Sequence, residues 1–325
     1  MKKLSIAAII LASIAIAGEV FVYATQKETS DTTYQKAMQS GYHVYAPILP
    51  DTVTFAGEAV PMDIYYVREG LDRELVSMMY WQSNTIFWFK RANRYFPTIE
   101  RILKEEGVPE DFKYLCVIES GLQNLTSPAK AQGYWQFIKT TGQHYGLEVT
   151  DEIDMRNDLE ASTRAACRFL KTLRNNLGSW TAAAAAYNRG ENGIAAAFQK
   201  QSVASYYDTR LNTETSRYVY RIIAAKTIMQ NPQKYGFYLR RCDLYPALPT
   251  RTATFSGQNI NLYTFAKQNG TSYKMLRDLN PWLCNDKIVN KNNKTYTVKL
   301  PVEKGTLQRV VAKDDNRRTE LITRM

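Results

Sequence analysis

One glutamate has the placement expected of a proton-transfer residue. Glu119 lies at the end of the largely apolar segment FKYLCVIES. On a helix it would continue the stripe formed by Phe112, Leu115 and Cys116, which precede it by seven, four and three residues. Burial disfavours the charged form of a carboxyl group and raises its pKa, which suits a general acid near neutral pH. The alternative is a glutamate at a frayed helix end before Gly121, turned into solvent or capping a neighbouring helix.

The chain is predicted to be mainly helical from residue 69 to residue 236, and these helices must position the glutamate. REGLDRELVSMMYWQSNTIFWFKRANRYF runs up to Pro97, TIERILKEEG ends on Gly107, and PEDFKYLCVIES begins at Pro109 and ends before Gly121. Three further helical segments are DLEASTRAACRFLKTLRNNLG, SWTAAAAAYNRG and NTETSRYVYRIIAAKTIMQNP. The first of these three has one apolar face formed by Leu159, Thr163, Ala166, Leu170, Leu173 and Leu177.

The regions on either side of the helical part differ from it in composition. Residues 25–68 are predicted to form an N-terminal arm, which up to residue 60 has no sustained helical rhythm and is interpreted as a tether or a loosely packed segment. Beyond Gly236, β-branched and aromatic residues are followed by one amphipathic stretch and by the strand signal KTYTVKLP, which indicates a small second module. The charged tail, residues 303–325, is predicted to be a solvated end, with a polyanion contact as the alternative.

The N-terminus predicts export. Two lysines precede an apolar run over residues 4–17 that ends in small residues, as in a secretory signal. Glu19 interrupts this run, but residues 20–24 are apolar again, so residues 1–24 are either a cleaved signal peptide or an anchor that stays in the inner membrane. No cysteine lies near the cleavage point, so a lipoprotein anchor is excluded. The predicted location is the periplasm or cell envelope.

Charge and cysteine content narrow the function classes further. The 42 Lys and Arg residues exceed the 31 Asp and Glu residues, giving a net charge of +11 that favours anionic partners. A nucleic-acid partner fits that charge but not the export signal. Cys116 and Cys167 lie in apolar helical patterns and are predicted to be buried thiols. No CxxC pair supports a zinc site, and Cys242 with Cys284 is the pair expected to form a disulfide.

Four ordered motifs resemble the lytic transglycosylases. ESGLQNLTSPAKAQGYWQFIKTTGQHYGL, AAAAAYNRGENG and ETSRYVYRIIAAK follow one another as in the catalytic domain of that family, with closest similarity to the membrane-bound D-type murein transglycosylases of the goose-type lysozyme superfamily. FAGEAVPMDIYYVREGLDREL, residues 55–75, is similar to the N-terminal arm of the D-type group. The resemblance implies a mainly α, lysozyme-like catalytic domain over residues 69–240.

The resemblance also implies roles for individual residues. Glu119 would be the catalytic acid and base, and Ser120 would bind near the reacting sugar. Gln136 matches the glutamine of the family's Gly-Leu-Met-Gln segment, whereas Tyr134 and Trp135 depart from it and bear on the floor beneath the sugar.

Three further substrate-binding residues follow from the later motifs. Tyr187 and Asn188, in the AYN motif, would point into the cleft, and Tyr218 matches the later family tyrosine. The alternative for each tyrosine is an amphipathic core residue, as expected for most of the 22 tyrosines in the chain.

The reaction implied by the resemblance needs one carboxyl group where ordinary glycosidases use two. Glu119 would protonate the oxygen between N-acetylmuramic acid and N-acetylglucosamine while the substrate's acetamido group stabilises C1. It would then take the proton of the muramic C6 hydroxyl, which attacks C1 and closes a 1,6-anhydro ring without consuming water. The partner would be the peptidoglycan glycan strand, and no metal or organic cofactor would be required.

Residues 250–302 are similar to a degenerate LysM glycan-binding module. The similarity rests on NINLYTFAKQNGTSYKMLRDLNPWL and the closing YTVKLP, although Gly257-Gln258-Asn259 replaces the usual Gly-Asp-Thr turn and residues 285–294 form a longer polar insert. Peptidoglycan binding and a purely structural appendage both remain open for this module. For the whole chain, the alternatives are a lysozyme-like muramidase and a non-catalytic wall-binding scaffold.

Overall fold

Helices dominate the chain, as the sequence predicts, and a small α+β module follows them. A computed structural model describes residues 41, 44–302 and 320–325. Its helices are α1 (Tyr65–Tyr80), α2 (Gln82–Glu105), α3 (Phe112–Ser120), α4 (Lys139–His144), α5 (Leu159–Leu177), α6 (Trp180–Arg189), α7 (Glu191–Gln201), α8 (Thr213–Gln230), α9 (Leu262–Gln268) and α10 (Tyr273–Leu279). Its strands are β1 (Thr54–Phe55), β2 (Glu58–Ala59), β3 (Thr250–Phe255), β4 (Ile260–Asn261), β5 (Lys287–Ile288) and β6 (Tyr296–Pro301).

Polar caps and one apolar face define the helices that surround the core. Asp158, Ser179 and Asn212 each accept a hydrogen bond from the backbone N–H three residues later, at 2.8, 3.1 and 3.0 Å, and thereby begin α5, α6 and α8. Gly178, with φ of 82°, ends α5. The predicted face of α5 is confirmed, since its four central members are buried and its two end members are half-buried: Leu159, Thr163, Ala166, Leu170, Leu173 and Leu177.

α2 passes through Pro97, where the sequence predicts a helix end. The break comes earlier, at Trp81, so the single segment predicted before Pro97 is divided between α1 and α2. Phe96 and Ile99 are both buried, and their packing holds the helix although the proline lacks a backbone N–H to donate. The result is one helix of 24 residues.

The N-terminal arm is well packed from β1 onward, in contrast to the loose segment predicted up to residue 60. Phe55 is fully buried, and its ring lies 5.3 Å from that of Phe112 in an edge-to-face arrangement. The carboxylate of Glu58 accepts hydrogen bonds from the backbone N–H groups of Trp180 and Thr181 at 2.6 and 2.9 Å. The arm therefore helps to cap the N-terminus of α6.

The small module contains two antiparallel strand pairs and two short helices. β3 pairs with β6 in a register that places Thr250 opposite Pro301 and Phe255 opposite Tyr296, and β4 pairs with β5. Its buried core is formed mainly by Phe255, Leu262, Ala266, Leu276, Trp282, Leu283, Ile288, Val298 and Leu300.

A loop of the helical domain is inserted into this module. Ile153 is 1% exposed and belongs to the core of the module. The carboxylate of Glu152 accepts hydrogen bonds from the backbone N–H groups of Val289 and Asn290 at 3.0 and 3.2 Å, and the N–H of Asp154 donates to a module carbonyl at 2.8 Å. The module is thus docked on the loop that precedes α5.

The predicted disulfide between Cys242 and Cys284 is not formed. Cys284 is a free thiol beside the inserted loop, where its N–H donates to the carbonyl of Glu152. Cys242 lies in a short 3-10 helix next to α2, where the carbonyl of Asp243 accepts a hydrogen bond from Lys90 Nζ at 2.7 Å. The two thiols are held on different elements of the fold. The buried free thiols predicted from helical patterns are confirmed for Cys116 and Cys167.

The predicted signal or anchor, residues 1–24, and residues 303–319 of the charged tail lie outside the described residues. Among the residues that the structure describes, no helix has the length and apolar character needed to cross a membrane.

Candidate active site

Helix α3 carries Glu119 near its C-terminal end, where the chain leaves the core. Eight of its nine residues are buried, and Glu119 is the partly exposed one. Gly121 ends the helix with φ of 60°, a conformation that glycine adopts readily. The helix therefore presents this carboxyl group at the edge of an otherwise apolar environment.

Tyr218, on α8, donates a hydrogen bond from its hydroxyl to Glu119 Oε1. Burial raises the pKa of Glu119 to about 7, while the hydrogen bond from Tyr218 and the positive charge of Arg221 lower it and the negative charge of Glu214 raises it. The raised pKa expected from the position of Glu119 on the apolar stripe is confirmed. A carboxyl group in this state can both donate and accept a proton near neutral pH.

Ser120 holds a loop and does not face the cleft. Its side chain is buried, and its hydroxyl donates to the backbone carbonyl of Tyr134 at 2.7 Å. Gly133, in the same loop, has φ of 81°, and a β-carbon there would lie 2.0 Å from the carbonyl oxygen of Arg156. Gln136 Nε2 donates to the carbonyls of Leu125 and Gly133 at 3.0 and 2.7 Å. In this structure both predicted binding residues, Ser120 and Gln136, form hydrogen bonds that shape the loop.

The two residues that depart from the family's loop pattern point into the core. The Tyr134 ring is buried with its centroid 5.2 Å from that of Tyr95. Trp135 is fully buried, and its Nε1 donates to Thr163 Oγ1 at 2.9 Å. Both aromatic side chains therefore pack beneath the loop, and neither lines the cleft.

A buried ion pair supports the same loop from behind. Arg156 and Asp154 are both buried, with Arg156 Nη2 lying 2.6 Å from Asp154 Oδ2. Arg156 Nη1 donates to the carbonyl of Phe137 at 3.1 Å and to that of Lys130 at 3.3 Å. Neither residue lies in a sequence motif, and Arg156 acts on a loop about 20 residues earlier in the chain, so the pair was not predicted from the sequence.

Tyr187 and Asn188 lie at the C-terminal end of α6, and Tyr187 is close to Glu119. The Tyr187 hydroxyl donates to the carbonyl of Trp135 at 2.7 Å, and burial followed by the nearby charge of Glu119 raises the pKa of Tyr187. Asn188 Nδ2 donates to Glu214 Oε1 at 3.1 Å, and Asn188 Oδ1 accepts from Thr215 Oγ1 at 2.9 Å. Tyr187 thus ties α6 to the loop, and Asn188 ties α6 to the start of α8.

A cleft of about 430 Å³ adjoins this site. Trp88, Glu214 and Arg221 line this cleft and were not predicted from the sequence. The spacing offered a signal for Arg221, which follows Tyr218 by three residues and so shares its helix face. The described residues contain no cluster of three His, Cys, Asp or Glu side chains that could hold a metal ion. The cleft is lined by Glu74, Ser77, Met78, Trp81, Trp88, Thr213, Glu214, Arg217 and Arg221.

Comparison with known proteins gives matches in both parts of the chain. Residues 96–209 match the transglycosylase SLT domain, and residues 251–304 match the soluble lytic transglycosylase C-terminal LysM-like domain. Membrane-bound lytic murein transglycosylase D of Escherichia coli strain K12 is 31% identical over 207 residues, which are 61% of this chain and 45% of the relative. The protein of the same name from Escherichia coli O6:H1 matches with the same identity and coverage.

The chain spans less than half the length of these curated relatives. The SLT match includes Glu119, the loop that carries Gln136, and the AYN motif, whereas Tyr218 lies beyond its end. The chain therefore contains a transglycosylase SLT domain followed by a LysM-like domain of the kind found at the C-terminus of soluble lytic transglycosylases.

Proposed function

We propose that the protein is a peptidoglycan lytic transglycosylase with Glu119 as its catalytic acid and base. The observation that carries the proposal is a carboxyl group with a pKa of about 7 at the edge of a cleft, hydrogen-bonded to the Tyr218 hydroxyl. The SLT match and the similarity to lytic murein transglycosylase D support the same reaction class.

In the proposed reaction, protonated Glu119 donates its proton to the glycosidic oxygen between N-acetylmuramic acid and N-acetylglucosamine. The bond from C1 of muramic acid to that oxygen breaks, and the substrate's acetamido group stabilises C1. The Glu119 carboxylate then takes the proton of the C6 hydroxyl as O6 bonds to C1. Glu119 returns to its protonated form, the product ends in 1,6-anhydromuramic acid, and no water is consumed.

The site residues divide into two groups in this proposal. Tyr218 would hold the Glu119 carboxyl group in position and stabilise its charged form after the first proton transfer. Ser120, Gln136 and Tyr187 would act as positioning residues, because their side chains hydrogen-bond to three successive carbonyls, those of residues 133–135, in the loop that follows Glu119. Asn188, hydrogen-bonded to Glu214, would fix that carboxylate at the cleft.

The decisive experiment identifies the product. Purified peptidoglycan is digested without a reducing step and the released muropeptides are weighed. Intramolecular attack gives products one water lighter than those of a muramidase and creates no new reducing ends. Glu119→Gln, which keeps the shape of the side chain but cannot supply the proton, is expected to lower the rate by at least about 100-fold. A parental rate from folded Glu119→Gln protein would contradict the assignment of the acid.

One observation favours a hydrolytic alternative. Glu214 lies in the cleft close enough for its charge to raise the pKa of Glu119, so the site contains a second carboxylate. Two carboxyl groups flanking a glycosidic bond are the usual equipment of a hydrolase. Hydrated products with new reducing ends, together with their loss in Glu214→Gln, would establish this muramidase and exclude the lyase. No product from any wall preparation would instead favour the non-catalytic scaffold.

The proposal extends to the location and to the small module. The substrate lies in the cell envelope, and the basic and apolar residues 2–17 support export, with residues 4–24 either removed or retained as an inner-membrane anchor.

The LysM-like module would bind glycan strands. Sedimentation of Glu119→Gln protein with insoluble peptidoglycan, before and after substitution of exposed module residues such as Tyr263, tests that binding.

A further inference from the structure

Two hydrogen-bond donors in the cleft have no partner among the described residues. The first is the indole N–H of Trp88, whose side chain lines the cleft from α2 and is 4% exposed. The second is the guanidinium group of Arg221, which lines the cleft from α8 and makes no side-chain hydrogen bond or ion pair within the part of the chain that the structure describes. Buried donors are nearly always paired in folded proteins, so an unpaired donor in a side chain that lines a cleft points to a ligand.

Both donors lie next to Glu119. The charge of Arg221 is close enough to lower the pKa of Glu119. Trp88 Nε1 would lie 3.2 Å from a β-carbon on Gly121, two residues after the glutamate. A group bound between Arg221 and Trp88 would therefore belong to a sugar that also contacts Glu119.

The other charges of the cleft have partners of their own. Arg217 forms hydrogen bonds of 2.7 and 3.1 Å with the carboxylate of Glu74, which is buried. Glu214 accepts a hydrogen bond from Asn188. Whenever Glu119 is protonated, as its acid role requires, the positive charge of Arg221 has no ion-pair partner among the described residues that line the cleft.

We propose that Arg221 and the Trp88 indole N–H form a subsite for a carboxylate carried by the muramyl residue at Glu119. Neither donor is bound to an acceptor among the described residues, and one of the two is cationic. Such a pair suits an anionic oxygen acceptor such as a carboxylate. Muramic acid has such a group in two forms: the lactyl carboxylate at C3 where the stem peptide has been removed, and the stem-peptide carboxylates where it is present. This inference rests on the proposed function and assigns the recognition of muramic acid over N-acetylglucosamine to these two residues.

The test measures binding in the Glu119→Gln protein, so that no ligand is consumed. The ligands are a peptide-free tetrasaccharide of alternating N-acetylglucosamine and N-acetylmuramic acid, the same tetrasaccharide with stem peptides, and the N-acetylglucosamine tetramer, which has no carboxylate. Adding Arg221→Gln is expected to weaken binding of carboxylate ligands by about 10- to 100-fold, the range of a charge-assisted hydrogen bond. Binding of the N-acetylglucosamine tetramer is expected to stay unchanged.

Further variants separate recognition from structural damage. Trp88→Phe keeps a ring in the buried position and removes an N–H that has no partner among the described residues. It is therefore expected to weaken the binding of the carboxylate ligands and to leave the binding of the N-acetylglucosamine tetramer unchanged. Arg221→Lys is expected to retain part of the affinity. Arg68→Gln makes the same charge change at an exposed position of α1 outside the cleft and is the matched control, with unchanged binding expected.

The pattern of losses decides between the outcomes. Weakened binding of the peptide-free tetrasaccharide identifies the lactyl carboxylate, and weakened binding of the peptide-bearing ligand alone identifies the stem peptide. Equal losses for all three ligands, or no loss for any, would overturn the subsite. Unchanged affinity together with an altered pH profile of Arg221→Gln in the active enzyme would show that Arg221 only tunes Glu119. Failure of every fragment to bind the Glu119→Gln protein would reject the proposed function itself.

Discussion

The raised pKa of Glu119 predicts that this carboxyl group destabilises the fold at neutral and higher pH. The ordinary pKa of a glutamate is 4.5, which we take for the unfolded chain, and in the fold burial raises it to about 7. Between these two pH values the folded chain holds a proton that the unfolded chain has released. This contribution to stability is fully present below pH 4.5 and is lost as the pH rises through 7.

The size of the effect follows from the two pKa values. One pKa unit corresponds to about 1.4 kcal/mol, and a rise from pH 5 to pH 8 therefore removes about 2.5 kcal/mol of the free energy of unfolding through this one group. The glutamine side chain in Glu119→Gln is neutral at every pH, so this variant lacks the pH-dependent contribution of Glu119 to the free energy of unfolding. The free energy of unfolding of Glu119→Gln relative to the parent should thus increase by about 2.5 kcal/mol between pH 5 and pH 8.

Urea denaturation of both proteins at several pH values measures this difference. Other titrating groups cancel in the comparison, since they are common to both proteins. Glu110→Gln serves as the control of opposite sign, because the hydrogen bond with Lys113 lowers the pKa of Glu110 below its ordinary value of 4.5. Its stability relative to the parent should fall as the pH rises to about 5 and should then stay nearly constant up to pH 8. Parallel pH dependences for the parent and Glu119→Gln would show that the carboxyl group titrates normally, and the reasoning would be refuted.

Three further predictions concern the surroundings of the acid. In Tyr218→Phe, loss of the hydrogen bond to the charged carboxyl group should move the alkaline limb of kcat/KM upward by about one pH unit, whereas Tyr187→Phe, which loses a bond to a carbonyl, should leave that limb in place. Gly133→Ala should lower the melting temperature and the activity together, because its β-carbon would overlap a backbone carbonyl; normal values for both would contradict the close approach. Arg156→Lys cannot reproduce the forked contacts and should lower kcat in folded protein, as single-turnover rates would reveal.

Sequence periodicity predicted most of the helices and the position of Glu119 on an apolar helix face, because both depend on local spacing. The face of α5 and the position of Glu119 on the stripe of α3 depend on residues within a few turns of one another. The helix end predicted at Pro97 was wrong, because packing of buried neighbours on both sides outweighed the loss of one hydrogen bond. α7 was not predicted, since its alanine-rich sequence carries one fully buried apolar residue, Ile194, and hence a weak stripe.

The side-chain directions at the site could not be obtained from motifs. Ser120 follows Glu119 directly, yet on a helix adjacent residues point about 100° apart, so the serine donates to a buried carbonyl while the glutamate accepts a hydrogen bond from Tyr218. Trp88 and Arg221 come from helices more than 130 residues apart in sequence, and their shared cleft depends on how α2 and α8 pack. Long-range packing of this kind leaves no signal in a single sequence.

The insertion of the loop before α5 into the small module joins the two parts of the molecule into one cooperative unit. If the module unfolded alone, Ile153 would be exposed to water, and the carboxylate of Glu152 would lose both of its hydrogen bonds. Arg156, three residues after Ile153, would then lie in a segment that has lost its support, although it holds the loop over residues 130–137 through two backbone carbonyls. Heating should therefore produce a single unfolding transition for both parts, and lytic activity and module structure should disappear at the same temperature.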